Sequence, residues 1–236
     1  MPPAHRSLSR FPHFPRLPPL PPRVRRPLKV LGFCVLGYAL LWGAGALGML
    51  GLSLWARHDG RTDGETVAGI RHFQRVDDGL WRGSAPGPSG YRELAARGVV
   101  TVVDLRAEDL TPRQLAGPEE AGLRTVRIPV RDGQTPTADQ SNAFLRVVLE
   151  SDGPVFVHCG AGVGRTGSMA AAYLVRTGQT DGRQAALRML AVGPPSVEQV
   201  YYALRLTPHD AGQPPALVEW TSRALDAPRR IRAAAN

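Results

Sequence analysis

Residues His158-Cys159-Gly160-Ala161-Gly162-Val163-Gly164-Arg165-Thr166-Gly167 gather a thiol, a guanidinium and a hydroxyl on a short stretch rich in glycine. Cysteine attacks as its thiolate, and a thiolate is favoured where positive partial charge converges on it. In Gly160, Ala161, Gly162, Val163 and Gly164 the glycines lift the usual backbone restrictions, so successive N–H groups can turn onto one oxyanion. Arg165, six positions after Cys159, can return over the loop and hold two phosphate oxygens in a planar fork that lysine cannot reproduce. The expected chemistry is attack of Cys159 on phosphorus to give a cysteinyl-phosphate, with the Thr166 hydroxyl placed to hydrogen-bond the departing sulfur. A glycine-rich turn around an inert buried cysteine is the competing reading; it leaves the spacing of Arg165 and Thr166 without a purpose.

A phosphate ester also needs its leaving oxygen protonated, so a carboxylic acid must reach the same point. Asp132, in Pro129-Val130-Arg131-Asp132-Gly133-Gln134-Thr135-Pro136, lies just past a predicted strand end, 27 residues before Cys159, and is the preferred acid. Asp104, at the end of another predicted strand, is the runner-up. Capping of its own loop is the alternative role for Asp132.

Positioning these groups requires a strand that ends at the cysteine and a helix that begins at the arginine. Pro154-Val155-Phe156-Val157 reads as a short buried strand and Arg165 to Thr177 as a helix, which places the loop at the carboxyl edge of a sheet with a helix N-terminus beneath it. Val99 to Leu105 and Leu123 to Pro129 are further strands, and Phe73 to Gly83 reads as a hairpin. Tyr91 to Arg97, stopped by Gly98, is a short helix, and Thr137 to Glu150 a longer one. Asp181 to Leu190 and Ser196 to Leu206 are two more helices. Alternation of strands and helices predicts an α/β fold with a mostly parallel central sheet flanked by helices.

The segment His158-Cys159 through Arg165-Thr166-Gly167 resembles the signature of the protein tyrosine phosphatase superfamily: His-Cys, five residues, Arg, then Ser or Thr. By that resemblance His158 orients the loop and tunes the thiolate rather than acting as a base. Pro129-Val130-Arg131-Asp132-Gly133 is similar to the acid loop of the compact dual-specificity enzymes, and Asp104-Leu105-Arg106 to a segment that is structural in them. The resemblance covers residues 73–206 and implies a shallow, dual-specificity-like site that acts on phosphotyrosine or phosphoserine/threonine protein. The loop also resembles that of phosphoinositide phosphatases, where lysines commonly fill the variable positions; here these are Gly160 and Val163, which weighs against a multiply phosphorylated headgroup. Gln199 falls in Ser196-Val197-Glu198-Gln199, which fits a helix capping box better than a catalytic glutamine. A non-catalytic phosphate-binding module and a sulfur transferase are the rival classes. The phosphatase chemistry implies no cofactor, and no His, Cys and carboxylate cluster has metal-ligand spacing, so no metal is expected.

The net charge of +9 suggests nucleic acid until it is divided along the 236 residues. Residues 1–58 hold eight of the 29 Lys and Arg and none of the 20 Asp and Glu, leaving a nearly neutral remainder; no nucleic-acid partner is expected. Residues 1–29, rich in Pro and Arg, are expected to be a disordered arm. Val30 to Trp55 carries no formal charge and exceeds the roughly 20 apolar residues that cross a bilayer, so residues 30–56 are expected to form one transmembrane helix rather than a cleaved signal. The basic flank places the N-terminus in the cytoplasm and the catalytic domain outside. Residues 57–72 are expected as a linker and residues 207–236 as a peripheral tail. Cys34 lies in the apolar run and Cys159 in the loop, so the pair provides no disulfide framework.

Overall fold

The computed structural model describes residues 22–58, 61–210 and 212–234, in two compact units, Met1–Gly43 and Ala44–Asn236. The first helix, α1, runs from Pro22 to His58. It starts earlier than the expected residue 30, because a proline in the first turn forfeits no intrahelical hydrogen bond and the Arg and Lys that follow are good helix formers. The expected arm otherwise lies outside the described residues. Leu31, Phe33, Leu40 and Leu47 are exposed along α1, and Arg26–His58 is long and apolar enough to cross a membrane, with a mean hydropathy of 1.9 over its most apolar 18 residues.

Within the second unit the last turns of α1 are docked rather than free. Ser53, fully buried, donates to the Leu190 carbonyl at 2.7 Å, and Arg57 Nε donates to the Ala191 carbonyl at 2.8 Å. Two strands, β1 (Glu65–Val67) and β2 (Ile70–Arg75), then occupy the expected linker, so the folded domain begins near Glu65 rather than at residue 73. Val67, Ile70 and Phe73 are buried there, an apolar spacing interleaved with polar neighbours.

The remaining elements follow in order: β3 (Leu80–Ser84), α2 (Pro88–Ala96), β4 (Thr101–Arg106), α3 (Pro112–Glu120), β5 (Arg124–Val130), α4 (Ala138–Leu149), β6 (Val155–Cys159), α5 (Gly164–Arg176), α6 (Gly182–Val192), α7 (Val197–Arg205) and α8 (Ala216–Ala234). The sheet order is β1-β2-β3-β6-β4-β5. Strands β3, β6, β4 and β5 are parallel, whereas β1–β2 and β2–β3 pair antiparallel, so the sheet is mixed.

Strand period fixes which side chains meet which layer. Val155, Val157 and Cys159 of β6 face Phe144 of α4 and Met169 of α5, while Phe156 joins Phe73, Trp81, Tyr91 and Leu94 on the opposite face. The Asp77 carboxylate accepts from the amides of Gly79 and Leu80 and closes the β2–β3 turn. In the parallel pairing of β3 with β6, Arg82 lies beside Val157 and Ser84 beside Cys159. Residues 207–236, expected as a peripheral tail, contain α8, which packs on α7; Ser222 is buried there and accepts from the Glu198 amide.

Candidate active site

Cys159 ends β6 and is 3% exposed. Its Sγ accepts the Gly162 amide at 3.3 Å. Gly162 has φ +78°, and a Cβ there would come within 2.5 Å of the Ser84 amide, so both the backbone angle and the close approach to β3 require glycine. The loop is tied back to the sheet by the Ala85 amide, which donates to the Gly160 carbonyl at 3.1 Å. Helix α5 follows at Gly164, and its N-cap, Val163, supplies no side-chain acceptor. First-turn N–H groups without an intrahelical partner, beside a thiol, make an oxyanion site.

Arg82 completes the support from behind. It is 4% exposed on β3, and its Nη2 donates to the Gly162 carbonyl at 2.7 Å and to Val163 at 3.4 Å. Burial pushes its pKa down to about 10, partly countered by Cys159. The loop carbonyls that would otherwise oppose an anion are thus turned outward and satisfied by a cation.

Arg165, in the first turn of α5, lies back over the loop, its Nη2 3.9 Å from where a Cβ on Gly160 would stand. Nη1 and Nη2 each lie 2.8 Å from a Glu108 carboxylate oxygen, Nη1 also donates to the Val130 carbonyl at 3.1 Å, and Nη2 lies 3.1 Å from Asp132 Oδ1. Nε is buried with no partner. The end-on fork, expected for phosphate, is held by Glu108, which leaves the side edge of Nε and Nη2 facing other ligands. Burial alone would raise the Glu108 carboxyl, but the hydrogen bonds and charge of Arg165 hold it below the usual carboxylate range. The Thr166 hydroxyl, in the first turn of α5, is buried without a partner.

His158 is fully buried and lies on the face opposite Cys159, edge-on to Tyr91. Burial outweighs the nearby Asp104 carboxylate and pushes its pKa down to about 4. Its Nδ1 is 3.2 Å from the Cys159 carbonyl and 3.9 Å from Asp104 Oδ1. Both neighbours only accept, so Nδ1 carries the proton and donates to the carbonyl.

The two candidate acids have opposite surroundings. Asp132 has a side chain 60% exposed and stands at the mouth of the loop. Asp104 is buried and spends both carboxylate oxygens on Arg106, at 2.8 to 3.2 Å. Burial would raise its pKa, but the hydrogen bonds and charge of Arg106 lower it. The Asp132 loop is fastened to α7 at three points. Ser196 Oγ donates to the Gly133 carbonyl at 2.7 Å, Gln199 Nε2 donates to Gln134 at 3.0 Å, and the Thr135 amide donates to Glu198 at 3.3 Å. The capping box over Ser196 and Gln199 forms as expected, and the same glutamine reaches the acid loop. Between loop and helix lies a cleft of about 230 Å³, lined by Asp132, Ala161, Val163, Pro194, Pro195 and Asp226 among others.

Residues 65–205 match the family described as DSP-PTPase phosphatase fused to NAD+ kinase. The chain belongs to this family. Its DSP-PTPase domain therefore spans 65–205, consistent with the strands found ahead of residue 73. Among curated proteins it is 34% identical over 100 residues to NAD kinase 2, chloroplastic, of Arabidopsis thaliana, covering 40% of this chain and 10% of that protein. It is 31% identical over 128 residues to the dual specificity protein phosphatase CDC14A of Mus musculus, covering 44% of this chain and 21% of that protein. The chain thus matches a small part of each relative's length. Among solved structures, the core catalytic domain of the PP-IP phosphatase SIW14 from S. cerevisiae superposes with a TM-score of 0.50 at 17% identity, over 59% of this chain and 87% of that one. That likeness is one of fold. The DSP-PTPase domain is a cysteine-based phosphatase domain of the dual-specificity type.

Glu108 and Arg82 were missed in the sequence. For Glu108 the available signal was its place just past the end of β4, at the same sheet edge as Cys159. For Arg82 it was a single cation inside Leu80-Trp81-Arg82-Gly83-Ser84, a strand buried throughout.

Proposed function

We propose that the chain is a membrane-anchored phosphatase that hydrolyses phosphate monoesters on proteins through a cysteinyl-phosphate at Cys159. The observation that carries this is the convergence of the Gly162 amide, the uncapped start of α5 and the Arg165 guanidinium around one thiol, with the exposed carboxyl of Asp132 beside the same guanidinium.

In the first step Cys159 Sγ forms a bond to phosphorus as the ester P–O bond breaks, and Asp132 gives its proton to the departing oxygen. The substrate phosphate takes the Nε and Nη2 edge of Arg165 and displaces Asp132 from Nη2 toward the leaving group. Loop amides from Gly160 to Gly164 hold the equatorial oxygens. In the second step water attacks phosphorus, the Asp132 carboxylate accepts its proton, and the S–P bond breaks as the Thr166 hydroxyl donates to the sulfur. Orthophosphate leaves and the thiolate is restored. His158 is neutral in this scheme and acts by holding the Cys159 carbonyl, not by supplying a charge.

A second reading, a phosphorylated lipid headgroup as substrate, is favoured by the docking of Arg57, near the end of α1, on the carbonyls of Ala191 and Val192, which shortly precede the cleft residues Pro194 and Pro195 in the chain. The missing cations at Gly160 and Val163 restrict it to headgroups with few phosphates. Anchoring rests on Arg26–His58, with the N-terminus in the cytoplasm and the phosphatase domain outside.

The test is hydrolysis of para-nitrophenyl phosphate and of a phosphotyrosine peptide by the full chain in detergent, beside Cys159→Ser. We expect turnover by the wild type and a loss of about a thousandfold or more in the variant, with phosphate binding retained. Undiminished turnover in Cys159→Ser overturns the mechanism, and a wild type that binds phosphate without turnover makes it a binding module.

A further inference from the structure

A second cavity, of about 580 Å³, shares no lining residue with the catalytic cleft. Its apolar wall includes Val76, just past β2, and Leu174 of α5, and its polar lining carries Arg61, Arg75, Arg82 and Arg188 against the single carboxylate of Glu65. Arginines at this density repel one another unless an anion lies between them, and the apolar wall leaves a large part of the space unsuited to water alone.

Arg82 joins the two sites. It lines the second cavity, is 4% exposed, and uses Nη2 on the Gly162 and Val163 carbonyls of the Cys159 loop. Its Nε is buried and has no partner. An unpaired charged donor at such depth is costly, and an anion in the cavity would satisfy it. Arg75, held over the Trp81 ring at 4.3 Å, and Arg188 on α6 are both exposed and form the rim.

We propose that this cavity is a second anion site, which takes a phosphate monoester bearing a small apolar group, and that Arg82 couples its occupancy to the catalytic loop. The phosphate meets the guanidiniums and the apolar group lies on Val76 and Leu174. A ligand on Arg82 Nε fixes the same guanidinium that orients Gly162, whose amide meets Cys159 Sγ. By reciprocity, loop occupancy and cavity occupancy then favour one another. The proposal concerns binding and stands whether or not the chain turns over protein substrates.

The test is calorimetric titration of the full chain in detergent micelles with phenylphosphonate, which keeps ring and dianion but has no ester bond to cleave. Two sites per chain are expected in the wild type. In Arg75→Glu and in Arg188→Glu, both changes at exposed positions, one of the two sites is expected to weaken at least about tenfold, as loss of a charge-assisted contact implies. Repeating the titration in phosphatidylcholine vesicles with and without phosphatidic acid separates the sources: displacement from the second site by the lipid assigns it to a headgroup, and no displacement assigns it to a soluble ester. Either result keeps the site. A single site in the wild type, or two sites of unaltered affinity in both variants, overturns it.

Discussion

Asp132 stands 3.1 Å from Arg165 with most of its side chain in solvent, whereas Asp104 is enclosed by Arg106 and the Cys159 loop's own histidine. Only the first can take a proton from water and pass it to a leaving oxygen on each cycle. Asp132→Asn is therefore expected to lower kcat for alkyl phosphates by about a hundredfold or more and to spare activated aryl phosphates, whose leaving oxygen needs no proton. Equal loss on both substrates in steady-state assays would reject the assignment. Residues of this kind were legible in the sequence because the reaction demands fixed types at short spacing, from Cys159 to Arg165 and Thr166. Glu108 and Arg82 were not, since they act on partners 57 and 80 residues away, and pairing over that distance is decided by the sheet.

Helix α7 illustrates how an element shapes a site to which its body does not belong. Its N-cap hydroxyl, Ser196 Oγ, accepts the Gln199 amide and donates to the Gly133 carbonyl next to the acid. Ser196→Ala should cost about 1 kcal/mol of stability in urea unfolding, as loss of a helix cap does, and should lower kcat with little change in KM because Asp132 loses its hold. A stability loss with kcat intact would show that Gln199 and Glu198 suffice to position the loop. The capping box of α7 was recognised from Ser196-Val197-Glu198-Gln199, yet Thr111-Pro112-Arg113-Gln114 carries the same pattern at the start of α3 and no helix was expected there. Helix α3 is short, interrupted by Pro118 and mostly exposed, so it lacks the apolar stripe that made the other helices visible. Strand β1 escaped for the related reason that two of its three residues face solvent, and β2 was read only in its second half, as the first arm of the Phe73 to Gly83 hairpin.

At the scale of the whole molecule, His158 links the site to global stability. Its folded pKa of about 4 lies below the ordinary 6.5, so between these values the unfolded chain binds the extra proton and stability rises with pH. A gain of about 3 kcal/mol is expected from pH 4 to pH 6.5, visible as a climbing urea midpoint, and His158→Asn should flatten that part of the profile. A profile unchanged by the substitution would mean that His158 is solvated in the native state. The apolar run of α1 was legible from composition, because a segment without charge over that length needs no tertiary information to be noticed. Its end was not, since the partners of Ser53 and Arg57 are the carbonyls of Leu190 and Ala191, far along the chain. Directly after α6 in the chain, Pro194 and Pro195 wall the catalytic cleft. On the proposed reading that α1 crosses a bilayer, substrate is met at the membrane surface rather than in the surrounding water. Encounters then become a two-dimensional matter, and turnover follows the mole fraction of substrate within the membrane surface rather than its concentration in bulk.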